Sequence, residues 1–458
     1  MTPCVESVTE SRAESPGNKL DAAKAGRYAA GMKSIYAGAI FLFSLALVGA
    51  ADLTGLAQEY DRQLREKILP YWYDTTLDRA HGGYLLADDL SGRREAKDKA
   101  LVVQARMVWG FSHAHLYQYS DARRDYLQAA QVGYRFLRDR MLDAQHGGYY
   151  WRVDAAGKPL QDRKIMYGQS FVIYALVEYY RATQHPEAIR LAMDLFFLLQ
   201  RKAHDLEHGG WIEHFTRDWR PVLQHDDQVF VEVGGYKSAN THLHLMEAFT
   251  ELYAVTGDAT VRRALQEALE INRRYFYPLE PGQSCFHRQL DWRPVTDPKS
   301  AGLSYGHNVE FAWLMVQAQK ALGQRPDWRH FYAHIDHALQ YGYDWERGGL
   351  YHRGVGNEPA SDTTKVWWAE AELIAALSEA LAHQPNPRYA QALEKQFRFL
   401  QQYQTSPEDG IWLDTVYADG KVKSGGKAHH WKANYHDVRA IVKFIQAFKR
   451  PASRAAVQ

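Results

Sequence analysis

The stretch that decides the fold is DAQHGGYYWRVDAAGKPL, Asp143 to Leu160. An acidic residue and a Gly-Gly pair lead into strand-forming residues and a polar turn, Asp154 to Gly157, the make-up of a short β-hairpin. The phrase recurs. Upstream it reads DRAHGGYLLADD, Asp78 to Asp89, and downstream DLEHGGWIEHFTRDWRPV, Asp205 to Val222. Three degraded copies follow: GQSCFHRQLDWRPV from Gly282, ERGGLYHRGVGNEP from Glu346 and SPEDGIWLDTVYADGKV from Ser406. With Gly82, Gly147, Gly209, Ser284, Gly348 and Asp409 as markers, the spacings are 65, 62, 75, 64 and 61 residues. A nearly constant period of this length marks a repeat architecture.

Between the hairpins the chain reads as helix. Ala100 to Tyr117 carries Leu101, Ala105, Val108, Trp109 and Leu116 at helical spacing, and a second helical stretch runs from Ala122 to Met141. Each unit is thus two helices and a hairpin. Helix pairs stack into an open solenoid or close into a ring. Six such units suit an all-α fold, a closed (α/α)6 barrel of six helical hairpins, with alternate helices lining the inside and short β-hairpins on one face. A solenoid that only binds partners is the competing arrangement; the polar residues on the helix faces discriminate between them.

The repeats account for 52–450 of the 458 residues, as one domain, with 451–458 as a tail. Residues 1–31 are polar and Ala/Ser-rich, a disordered leader. From Met32 the chain reads MKSIYAGAIFLFSLALVGAAD: a positive flank at Lys33, an apolar run from Ile35 to Val48, then Gly49, Ala50 and Ala51. This has the form of an export signal over 32–51, with Val48 and Ala50 at the small-residue positions before a cleavage point, and it predicts a periplasmic protein. An uncleaved membrane anchor is the alternative. Cys4 lies upstream of that signal, so Cys285 has no partner for a disulfide within the domain. The net charge of +1 argues against nucleic acid and anionic membrane as partners. There is no Gly-rich phosphate loop and no CxxC pair. Aromatics make up 13%, with 13 Trp and 29 Tyr; beyond core packing, such rings supply flat faces for sugars. Such faces make a small-molecule sugar substrate an expectation to be weighed against plain core packing, for a chain expected to act as a monomer or homodimer.

Three clusters carry candidate chemistry. In Asn240-Thr241-His242-Leu243-His244, a helix opening at Asn240 or Thr241 puts Asn240, His244 and Glu247 on one face, while His242 points to the core. His-x-His on a helix is poor zinc spacing, and no metal is expected. In Ser304-Tyr305-Gly306-His307-Asn308-Val309-Glu310, His307 and Glu310 are i, i+3 neighbours at a helix start; a capping Ser and a first-turn acid explain Glu310 but not His307. In Trp431-Lys432-Ala433-Asn434-Tyr435-His436, His436 also opens a helix. In a closed barrel such starts converge on one mouth. Arg106 interrupts an apolar helix and must snorkel or face a polar cavity. Of the adjacent Trp367 and Trp368, at most one is expected on the cavity wall.

On SANTHLH with its downstream MEAF, SYGHNVE, VWWAEAE and HWKANYH, together with Arg106 in QARMVWGFSHAH and the run Tyr167 to Phe171, the chain resembles the N-acylglucosamine 2-epimerase superfamily, nearest its cellobiose and mannobiose 2-epimerases. The resemblance covers nearly everything from Asp52 onward. It implies an (α/α)6 barrel and a cofactor-free inversion of C2 in a reducing-end aldose through an enediolate. It assigns His307 and His436 as the two proton-transfer groups. His244 would assist ring opening, Arg106 would stabilise the enediolate oxygen, and Glu310 would orient His307. Asn240, Tyr167 and Glu247 would bind the sugar, with Trp368 and Trp431 flanking its rings. Ser238-Ala239-Asn240 stands where the disaccharide enzymes usually have Ser-Met-Asn, and Ala433-Asn434 where Gly-Pro is usual; the loop Val222 to Lys237 also differs. These segments edge the pocket and bear on which sugar it takes. An aldose–ketose isomerase shares the intermediate and stays open as an alternative. A glycoside hydrolase would need two cavity carboxylates at defined separation.

Overall fold

The computed structural model describes residues 52–86, 88, 97–224 and 234–449. The expected leader, export signal and tail lie outside the described residues, as does much of the Val222 to Lys237 loop. Helix α1 (Leu53–Gln63) runs on through a π turn into Leu69–Thr76. Then come α2 (Leu101–Leu116), α3 (Tyr126–Phe136), α4 (Met166–Thr183), α5 (Pro186–Lys202) and α6 (Ala239–Thr256). The second half holds α7 (Ala259–Ile271), α8 (Tyr305–Ala321), α9 (Trp328–His337), α10 (Trp367–His383), α11 (Pro387–Phe399) and α12 (His436–Phe448).

The odd-numbered helices are amphipathic. In α7 the buried residues Val261, Ala264, Leu265, Ala268 and Leu269 form one stripe at i, i+3, i+4 spacing. Each fully buried Leu or Val in such a stripe contributes about 1.5–3 kcal/mol. The even-numbered helices are buried almost all round; in α8 even Tyr305, Asn308, Glu310 and Gln319 are covered. Such a helix must sit inside. Accordingly α2, α4, α6, α8, α10 and α12 pack in sequence, α12 returns to α2, and each is backed by an odd-numbered helix, with α1 behind α12. The first outer helix and the last inner helix thus form one pair across the chain termini, which closes the (α/α)6 barrel.

The hairpins serve as clasps between neighbouring units. The strand before an inner helix pairs antiparallel with the hairpin of the next unit: Asp98–Ala100 with Arg152–Asp154, Lys164–Ile165 with His214–Phe215, and Lys365–Val366 with Thr415–Val416. Tyr236–Ser238 pairs likewise with His287–Gln289, and Leu303–Ser304 with Arg353–Gly354. A bridge between Asp88 and Ala428 joins the first unit to the last. The turn needs its glycines: Gly147 and Gly148 have φ of 72° and 68°, and a Cβ on Gly148 would lie 2.5 Å from the Trp219 ring. In the first, second, third and fifth copies the acidic residue at the turn anchors a buried lysine, and in the sixth Asp409 does so from three residues further on. Lys99, Lys237 and Lys365 bind Asp78, Asp205 and Asp344 at 2.8, 2.7 and 2.8 Å, and each also donates to a turn carbonyl. Lys164 pairs with Asp143 and Lys427 with Asp409. The degraded fourth copy lacks the pair: Leu303 stands where the lysine would be.

Two helix starts differ from expectation. The second stretch begins at Tyr126, because Asp121 accepts from the backbone of Arg123 and Arg124, closing a turn, and Asp125 caps the helix instead. Helix α6 begins at Ala239, since Ser238 Oγ accepts from Thr241 N–H. His244 therefore sits in the second turn of its helix.

Candidate active site

The N-terminal ends of the inner helices meet at the hairpin face. Four of them, at α2, α4, α10 and α12, carry no side-chain cap, although the first N–H of α2, α4 and α10 donates to a hairpin carbonyl, and their positive dipole ends face that mouth. A cavity of about 350 Å³ opens there. Arg106, Tyr167, Asn240, His244, His307, Glu310, Trp368, Trp431 and His436 all line it, drawn from every inner helix and from the segment before α12.

Each histidine is held differently. His436 Nδ1 lies 2.6 Å from Glu372 Oε1, and His244 Nδ1 lies 2.8 Å from Glu247 Oε2. Donors converging on both glutamates hold their carboxyls down at about 2 despite burial. Each is therefore an acceptor, which places the imidazole proton on Nδ1 and leaves Nε2 as the basic nitrogen. Burial pushes His436 down to about 3, against the pull of Glu372, and pushes His244 down too. His307 is held well below the usual histidine range by burial and by the neighbouring histidines and Arg353. Its ring has no hydrogen-bond partner among the described residues and rests against Trp368, 4.5 Å between centroids. Trp368 lies 6.2 Å from the His436 ring, so the two imidazoles are no farther apart than those two steps together. The site thus holds three neutral imidazoles able to accept protons. Arg106 is oriented by three contacts: Nη2 donates to Tyr167 Oη at 2.9 Å, Nη1 donates to Trp431 O at 2.7 Å, and the guanidinium stacks on Phe171.

Two of the expected site residues need correction. Glu247 is not on the cavity wall. It stands behind His244, accepting from Tyr435 Oη at 2.7 Å and from Arg439, so its i+3 position serves the histidine rather than a sugar. Glu310 makes no bond to His307. The two side chains diverge, and Glu310 Oε1 turns inward to accept from Arg439 Nη2 at 3.2 Å. The Trp pair also departs from expectation, for Trp367 and Trp368 both reach the wall. His242 is a core residue: Nδ1 donates to Ser238 O and Nε2 accepts from Trp211 N–H.

The sequence reading missed His352, Arg353, Asp414 and His429, which also line the cavity. They sit on or beside the hairpin clasps of the last two units, a position the repeat register identifies once the clasps are known. It also missed Arg439, one turn beyond His436 and as anomalous in an apolar helix as Arg106. Arg439 donates to Glu247, Glu310 and Glu372 together. Donor atoms of Glu310, Glu372 and His436 come within 4.8 Å of one another. The Arg439 guanidinium already supplies positive charge to this group, and we assign no metal to it. A larger cavity of about 700 Å³ opens at the opposite mouth, lined by Trp109, Glu178, Glu251 and Lys443. Its ionic groups are paired with one another, as in His113–Glu178 and Lys443–Glu379, and the three histidines do not reach it. The smaller cavity, which gathers the three histidines, is therefore the candidate reaction site.

Residues 82–440 match the N-acylglucosamine 2-epimerase family. A cellobiose 2-epimerase of Ruminococcus albus is 30% identical over 399 residues, spanning 85% of this chain and 98% of that protein. A cellobiose 2-epimerase of Bacteroides fragilis is 28% identical over 399 residues with the same coverage. The solved structure of cellobiose 2-epimerase from Spirochaeta thermophila, 31% identical, matches with a TM-score of 0.76 over 86% of this chain and 97% of that one.

Proposed function

Because this chain belongs to the N-acylglucosamine 2-epimerase family, we propose that it is a carbohydrate 2-epimerase, inverting C2 of a reducing-end aldose of the cellobiose or mannobiose kind. The observation that carries the reading is the placing of His307 and His436 around one cavity with Trp368 against both. Inversion requires a proton to leave one face of C2 and return on the other, and two imidazoles that share a cavity meet that need.

His244, its Nδ1 proton held by Glu247, opens the pyranose ring to expose the C1 carbonyl. His307 or His436 then takes the C2 proton from its own face. Negative charge moves onto the former carbonyl oxygen, toward Arg106 and the uncapped helix ends. That charge raises the proton affinity of the flanking imidazoles, which burial had lowered. The partner histidine, having taken up a proton from water, delivers it to C2 from the other side, and the first histidine gives its proton to water to close the cycle. Asn240 and Tyr167 bind hydroxyls, and the half-buried Trp368 and Trp431 offer their faces to the sugar. Export to the periplasm through the 32–51 signal belongs to the same reading.

Proton NMR in D2O with cellobiose, mannobiose, mannose, glucose and N-acetylglucosamine tests it. The expected result is the C2 epimer of one of these, deuterated at C2. A ketose as the sole product makes the enzyme an isomerase; no exchange at C2 of any of them refutes both.

A further inference from the structure

Three buried carboxylates share one guanidinium at the floor of the cavity, and they are not equally served. Glu247 receives Arg439, Tyr435 Oη and His244 Nδ1–H. Glu372 receives Arg439 at 2.7 Å, His436 Nδ1–H at 2.6 Å and Trp313 Nε1–H at 3.0 Å. Three donors on each stabilise the ionised form. Glu310 receives only Arg439, at 3.2 Å, and its Oε2 is buried with no hydrogen-bond partner among the described residues. A third ionised carboxylate there would be a buried charge with one long contact, beside two anions that have already drawn on the same cation.

We propose that Glu310 works as a neutral carboxylic acid whose Oε2–H donates a hydrogen bond to the sugar oxygen on which the enediolate charge develops. The charged groups that face it are Glu372 from α10, Arg439 from α12, Glu247 from α6 and Arg106 from α2. Burial and the charge of Glu372 push its carboxyl well above the usual range, and Arg439 offsets them only in part. Its carboxyl and a ring nitrogen of His436 come within 4.8 Å, a spacing that suits groups acting on adjacent substrate atoms. When the base takes the C2 proton, the C–H electron pair becomes the C1=C2 bond and the carbonyl π pair moves to O1. There the acid proton of Glu310 meets it by hydrogen bonding, without transfer; reprotonation from the other face reverses each movement. A carboxyl kept neutral at neutral pH is a strong donor that carries no charge to repel the enediolate.

The inference rests on the epimerase reading, and its test separates the two. Infrared difference spectra of the parent against Glu310→Gln, without sugar at neutral pH, read the carboxyl directly. The expected result is a protonated-acid carbonyl band present in the parent and absent in the variant. Carboxylate stretches in its place overturn the proposal whatever the activity. The second arm measures C2 proton exchange. Glu310→Gln retains neutrality and an N–H donor and should stay within about tenfold of the parent, whereas Glu310→Leu should lose about 10²–10³-fold. Circular dichroism of both variants checks their fold. A Gln variant as slow as the Leu variant overturns the donor role. A parent that exchanges no sugar at C2 sinks the epimerase reading and the donor role with it, while the infrared band still reports whether Glu310 is neutral.

Discussion

Replacing Glu372 by Gln should slow proton transfer at His436 about a hundredfold. The carboxylate receives His436 Nδ1–H at 2.6 Å, Arg439 at 2.7 Å and Trp313 Nε1–H at 3.0 Å. An amide oxygen can accept the same bonds, so the change removes charge more than shape. When His436 takes the C2 proton it becomes an imidazolium, and a carboxylate about 4 Å from that charge at an effective dielectric of about 20 contributes about 4 kcal/mol. The amide retains a hydrogen bond of about 1 kcal/mol. The difference, about 3 kcal/mol, is roughly a hundredfold in rate. The assay is C2 proton exchange in D2O, followed separately from each epimer, with circular dichroism to check the fold. One epimer should be slowed more than the other, because His307 has no contact with Glu372. A variant within about threefold of the parent from both epimers would refute the assignment of Glu372 as the group that stabilises protonated His436.

His307→Ala and His436→Ala should each lower epimerisation by about 10²–10⁴-fold, the usual cost of losing a general acid or base; a folded variant within about threefold of the parent, by product NMR, removes that residue from the mechanism. Lys365→Met strands buried Asp344 without its cation, at a cost of about 3–5 kcal/mol, eased by the two backbone N–H groups that Asp344 retains; urea unfolding should show a clear loss, and Leu303→Met, at the equivalent position without an acid partner, should show little. Stability should fall as the medium is acidified: burial holds His242 at about 3 and His334 well below the usual range. The unfolded chain then binds more protons below about pH 6.5, down to the folded values, so unfolding midpoints should drop across that window and stay flat above it. The mature protein should begin near Ala51 or Asp52, which N-terminal sequencing from the native host checks; a soluble product that still contains Lys33 counts against the export signal.

The repeat, the helical pairs, the barrel and nine of the cavity's residues were legible in the primary sequence. Local chemistry made the repeat and the histidine and arginine candidates so: Gly-Gly turns recur at a countable spacing, and histidine or arginine in an apolar helix is an anomaly without any structure; Tyr167 and the role of Trp431 came from the family resemblance. What only the tertiary structure decided is which groups pair. Glu310 follows His307 by three residues, yet its partner is Arg439, 129 residues away. Glu247 shares a face with Asn240 and still serves Tyr435 and Arg439 from behind His244. Helical spacing states which side chains start on the same face of one helix. It does not state which neighbouring helix offers a better donor once water is excluded, and at the floor of a barrel six helices compete. The clasp residues His352, Arg353 and Asp414 escaped for the same reason: they reach the cavity through strand pairing between adjacent units, a contact that exists only when the ring is assembled.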